Sequence, residues 1–144
     1  MTESPYRQYL MDEITMGSPV AKGLGLELVK AAPELTVLRL PFRPENTTFE
    51  DVVHGGTIAT LIDIAAAAGF VAGAGEGVVG GVTSALSINY LSAARGCDLL
   101  AETRPLRRGR SQTTCEVTVL DTEGHLIAKG TVTNRGFAAP VGTA

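Results

Sequence analysis

The residue of greatest chemical interest is a carboxylate inside an apolar run. Asp63 is the only ionisable residue between Gly55 and Gly75. Removing an unpaired carboxylate from water costs several kcal/mol, so the fold must satisfy it or use it. Desolvation also strengthens a carboxylate as a base, unless hydrogen bonds to its charged form cancel the effect. Two readings are open from the residue alone: a structural carboxylate held by nearby hydroxyls and amides, or a catalytic base or nucleophile.

His54-Gly55-Gly56 stands just before it. If a helix opens here, the amides of Gly55 and Gly56 lack helical acceptors and sit at the positive end of the helix dipole. Glycines there let a ligand approach the backbone closely. Such donors suit a carbonyl oxygen that acquires negative charge, an oxyanion hole. Taken alone, the triplet reads first as a helix start capped by the imidazole.

A second group is basic. Arg104, Arg107, Arg108 and Arg110 cluster around a strand–turn–strand junction. A guanidinium binds two oxygens at once and suits phosphate, although such a turn is also an ordinary solvated hairpin tip. Cys97 and Cys115 are in neither CxxC nor ligand-like spacing and are expected to be reduced and buried, in strand contexts without an activating signature. His125 is expected in an exposed hairpin, and Tyr90 and Phe70 in the core or a pocket wall.

The elements that position these groups follow from periodicity. Ser4-Pro5 predicts an N-cap and first helical position, opening a helix through about residue 16. Strands are expected near 24–32 and 35–42, with Thr36, Leu38, Leu40 and Phe42 on one face of the second. A polar loop, 43–53, leads to a helix over 55–72 whose Ala content, together with Leu61, favours helix over strand. Being apolar all round, this helix should be buried on most sides. Its length approaches that of a membrane span, but its small residues and mid-length Asp63 argue against one. From Gly80 the period becomes two: Val82, Ser84, Leu86, Ile88 and Tyr90 alternate against Thr83, Ala85, Ser87 and Asn89. Further strands are expected near 97–107, 111–121 and 125–137, joined by turn-like stretches. Short connections imply antiparallel neighbours, and so an α+β fold with a sheet covering the helix.

Composition narrows the function classes. With 44% hydrophobic and 19% charged residues, the 144 residues are expected to form one globular domain, 1–144. A net charge of −3 argues against general nucleic-acid or anionic-membrane binding, and without Trp and at 5% aromatic there is little to stack on bases. The first residues lack the basic-then-apolar pattern of a secretory signal, so a cytoplasmic location is expected.

The run His54-Gly55-Gly56-Thr57-Ile58-Ala59-Thr60-Leu61-Ile62-Asp63 resembles the signature of hotdog-fold acyl-CoA thioesterases. It is most similar to the phenylacetate-degradation (PaaI-like) branch, in which an acidic residue follows the His by nine positions. Residues 81–92 resemble the strand after the helix in that family, and the likeness spans roughly 20–137. The resemblance implies an antiparallel sheet of five or six strands wrapped around one long helix, homodimers with a continuous sheet, and often homotetramers. It implies that Asp63 activates water or attacks the thioester, that the Gly55 amide is the oxyanion donor, and that His54 shapes the loop. Thr83 falls where a Ser or Thr assists the carboxylate. The family's Asn or Gln before the HGG lands by commonest spacing on Thr48, whereas the available amide is Asn46.

The substrate implied is an acyl-CoA, with coenzyme A as part of the substrate and no separate cofactor or metal. Its phosphates make Arg108, Gly109, Arg110 and Ser111 candidate nucleotide contacts, with Gly56 beside the acyl carbonyl. The acyl group is open between aryl and medium-chain. A hotdog hydratase or dehydratase and a non-catalytic acyl-CoA-binding protein are the alternatives.

Helix geometry adds a constraint. Gly55 and Asp63 are eight residues apart, on the order of 12 Å at about 1.5 Å per residue. A reacting carbonyl must lie within about 3 Å of its oxyanion donor and close to the nucleophile. One helix cannot bring both groups to one carbon, but a second antiparallel copy can. The expected chemistry therefore requires at least a dimer.

Overall fold

Alternation builds the sheet. In β7 (Gln112–Asp121), Thr113, Cys115, Val117 and Val119 are buried, while the residues between them keep contact with solvent. β6 (Leu99–Arg108) buries Leu99, Ala101 and Thr103, and β2 (Leu35–Leu40) buries Thr36, Leu38 and Leu40. The computed structural model describes residues 6–139. With β1 (Glu27–Ala32), β5 (Val78–Tyr90) and β8 (Leu126–Ala138), these strands form one six-stranded antiparallel sheet in the order β1-β2-β6-β7-β8-β5.

α3 (Gly55–Ala72) packs across this sheet against β2, β6, β7 and β8, and its bounds match those expected. It is long and apolar enough to cross a membrane by length and composition. Here its apolar surface is instead taken up by the domain: Leu61, Ile62, Ala65, Ala66 and Ala68 are fully enclosed.

Three expectations are corrected. The helix expected through about residue 16 is α1 (Arg7–Tyr9) continuing into a π-helical turn (Leu10–Thr15), and an additional helix, α2 (Pro19–Leu24), follows it before the first strand. Ser4 and Pro5 lie outside the described residues; the same Ser-Pro pair recurs at α2, where the Ser18 hydroxyl accepts from the Ala21 amide at 3.2 Å. The following strand consequently starts at Glu27. The expected loop 43–53 contains a 3-10 turn (Pro44–Asn46) and a ribbon of β3 (Thr47–Phe49) with β4 (Val52–Val53). Cys115 is buried, but Cys97 is only half-buried and lies in a bend before β6, outside any strand.

β5 departs from strict alternation. Its register against β8 shifts between Thr83 and Ala85, so Ser84 is an extra residue, a β-bulge. A period of two would put Thr83 and Tyr90 on opposite faces. The bulge changes the parity, and both side chains reach α3, as described below. β5 is also an edge strand, and nearly all of it from Gly81 to Tyr90 is exposed.

Candidate active site

α3 opens with His54 as its N-cap, in extended backbone (φ −61°, ψ 135°). The ribbon delivers it there: the His54 amide donates to the Asn46 carbonyl at 2.8 Å. The imidazole Nδ1 accepts from the Gly56 amide at 2.8 Å, so the capping reading of the triplet is correct and this amide is committed. Gly55, the first helical residue, has no acceptor within the helix for its own amide. Tyr90 at the end of β5 donates its hydroxyl to the Gly55 carbonyl at 2.8 Å, and its ring lies beside the glycine. A cleft of about 410 Å³, bordered by Gly55, Tyr90 and Ser92, opens there. Asn46 neighbours His54, with its side-chain nitrogen buried and unpartnered among the described residues, whereas Thr48 is exposed.

Asp63 is half-buried rather than sealed. Thr83 on β5 donates its hydroxyl to Asp63 Oδ1 at 2.6 Å, and Asn134 on β8 donates its side-chain amide to Thr83 Oγ1 at 3.2 Å. The order is chemically fixed: a hydroxyl whose single proton goes to the carboxylate can only accept from the Asn. Asn134 is buried, and its Oδ1 has no protein partner among the described residues. These three groups border a cavity of about 160 Å³ whose other walls are mostly apolar. Sequence reasoning missed Asn134. Its signal is the Thr83–Asn134 pairing in the β5–β8 register, which the one-dimensional pattern does not reveal.

The basic turn divides into separate roles. Arg108 donates to the Gly69 carbonyl at 2.8 Å and the Phe70 carbonyl at 3.3 Å near the end of α3, and to the Pro33 carbonyl at 2.7 Å in the β1–β2 turn. It serves as a C-terminal cap for α3, a use of Arg that the macrodipole favours. Gly73 leaves room for the guanidinium, since a Cβ there would overlap it. Burial lowers the Arg108 pKa from the ordinary arginine value. Arg104 pairs with Glu102 at 3.0 Å. The Gly109 amide donates to the Gln112 carbonyl, and the Ser111 carbonyl accepts from the Gly136 amide, each at 2.7 Å. Arg110 and the Ser111 side chain are exposed on the rim of a cleft of about 590 Å³ beside the C-terminal end of α3. Replacing Arg108 by Leu strands three carbonyls, and urea unfolding is expected to show a loss of roughly 2–3 kcal/mol.

Neither thiol is activated. Burial pushes both Cys97 and Cys115 up from the ordinary cysteine value, opposite to what a nucleophilic thiol needs. His125 pairs with Asp121 at 3.0 Å in the exposed β7–β8 turn.

Residues 50–128 match the family model described as Thioesterase superfamily. A Mycobacterium tuberculosis protein named as an esterase is 30% identical over 119 residues, covering 79% of this chain and 83% of that one. The PaaI protein of the Escherichia coli phenylacetic acid degradation operon shares the fold with a TM-score of 0.81 at 17% identity, over 96% of this chain and 98% of that one. A Streptococcus mutans protein crystallised with acetyl-CoA is 25% identical, with a TM-score of 0.71, over 78% of this chain and 89% of that one.

Proposed function

The chain belongs to the thioesterase superfamily and has the hotdog fold, and on that premise we propose that it hydrolyses acyl-CoA thioesters to a free acid and coenzyme A. The observation that carries this reading is the Asp63 carboxylate, oriented by the 2.6 Å bond from Thr83 and bordering a largely apolar cavity. The acetyl-CoA held by the S. mutans relative supports the choice of thioester.

The thioester carbonyl accepts a hydrogen bond from the Gly55 amide of one subunit. The partner's Asp63 stands at the other face of the carbon. Thr83 occupies one carboxylate oxygen, leaving the second to take a proton from water. As water attacks, its proton passes to the carboxylate and the carbonyl becomes an oxyanion, which the helix N-terminus stabilises. Collapse breaks the carbon–sulfur bond, and the thiolate leaves with the proton that Asp63 holds. In the covalent variant Asp63 attacks directly, the thiolate departs, and water then hydrolyses the mixed anhydride. Heavy oxygen from solvent appearing in Asp63 after one turnover distinguishes the second route.

This chemistry takes a dimer with its α3 helices antiparallel. The unpaired edge of β5, exposing Val82, Leu86 and Tyr90, supports such an assembly, because a long bare strand edge is a template for pairing. The test of the activity is thiol release, followed with a disulfide reagent across a panel of acyl-CoAs. Loss of enoyl absorbance without thiol would assign a hydratase instead, and binding without either would assign a carrier.

For the nucleotide, Arg110 is the residue to vary, since Arg108 is held by the helix. Arg110→Glu is expected to raise KM for acyl-CoA about tenfold, while leaving KM for an acyl N-acetylcysteamine thioester unchanged. An equal rise for both would remove the phosphate contact from the proposal.

A further inference from the structure

Two cavities meet at one aromatic ring. Phe70, in the last turn of α3, forms part of the wall of the 160 Å³ cavity that Asp63 borders and of the 590 Å³ cleft that ends at Arg110 and Ser111. The ring is 7% exposed and sits over the backbones of β5 and β8, where Gly81 and Gly136 are paired. A Cβ on Gly81 would lie 2.7 Å from the ring, and one on Gly136 2.9 Å from it. The glycine pair therefore makes the seat that the ring fills.

Asp63 and Phe70 are seven residues apart on α3, two turns along one face and on the order of 10 Å. An acyl group whose carbonyl is at an Asp63 carboxylate and whose tail enters this cavity runs along the helix toward the ring. A cavity of about 150 Å³ holds a benzene-sized group, which sets the capacity on the acid side at about six carbons. Beyond the ring lies a larger empty volume. We propose that Phe70 is the specificity-determining residue that limits acyl length, closing the acid-side cavity against the cleft behind it. The inference rests on the thioesterase reading of the Asp63 site and adds to it the residue that selects among acyl groups.

The experiment is a chain-length profile of kcat/KM from acetyl-CoA to dodecanoyl-CoA for the wild type, Phe70→Leu and Phe70→Ala. Phe70→Leu keeps most of the apolar packing and guards against loss of folding in the Ala variant. The wild-type profile is expected to fall beyond about six carbons. The ratio of decanoyl to butanoyl turnover should rise about tenfold or more in Phe70→Ala and by a smaller factor in Phe70→Leu, since each methylene admitted to an apolar pocket changes selectivity by about that much. A wild type that cleaves dodecanoyl-CoA as well as hexanoyl-CoA overturns the inference, as does an unchanged profile in a folded, active variant. Both outcomes leave the thioesterase reading standing. A wild type that releases thiol from no acyl-CoA overturns the two together.

Discussion

Replacing Gly55 by Pro is expected to lower kcat by about 100- to 1000-fold while leaving the protein folded. The substitution deletes one hydrogen-bond donor and little else. Pro is favoured at the first helical position, where the amide has no helical acceptor to lose. The residue before a Pro must be extended, and His54 already is, at φ −61° and ψ 135°. A Cβ on Gly55 would meet the Tyr90 ring at 3.5 Å, an ordinary contact. Gly55→Ala is the control, because it adds the same carbon and keeps the donor; its kcat should stay near the wild-type value. Thermal melts of both variants separate chemistry from folding. A Pro variant with undiminished kcat would show that no oxyanion hole is formed there.

The second large effect is expected at Asp63. Asp63→Asn preserves shape and can still accept from Thr83, but it can neither take a proton from water nor attack as an anion. A loss in kcat of about 1000-fold, with KM little changed, is expected from steady-state kinetics. The two variants together test the shared site. In each wild-type dimer, a reaction centre takes Gly55 from one chain and Asp63 from the other. A hybrid of a Gly55→Pro chain with an Asp63→Asn chain has one centre with both groups intact and one with both altered. Equal mixing by co-refolding should therefore restore about a quarter of wild-type activity from two nearly inactive parents. No recovery in verified hybrids would place both groups' work within single chains.

The helix that carries these residues was legible in the sequence because 18 residues without a charged stripe can only be buried, and because HGG marks its start. The bond from Thr83 to Asp63 was reached through the family resemblance. Other features depend on the third dimension. Asn134 joins the site only once β8 pairs with β5 in the observed register. Arg108 looked like a surface phosphate ligand because nothing local indicates that α3 ends beneath it. Ser18-Pro19 is a helix-start signal of the same kind as Ser4-Pro5, yet the sequence pattern assigns no element between residue 16 and the strand near 24, because the helix it opens is only 6 residues long. The half-buried state of Asp63 reflects the open cavity beside it, which the expectation of a helix buried on most sides does not locate.

The extra residue at Ser84 has a consequence for how this chain tolerates change in length. A strand turns its side chains over at every step, so β5 acts as a ruler with one tick inserted, and that tick puts Thr83 and Tyr90 in phase on the same helix. Loss or gain of a single residue between them would swing the phenol away from the Gly55 carbonyl while leaving the threonine on its acid. The stretch from Ser84 to Asn89 is thus fixed in number more strictly than in kind, whereas the exposed turn from Thr122 to His125 carries no such count.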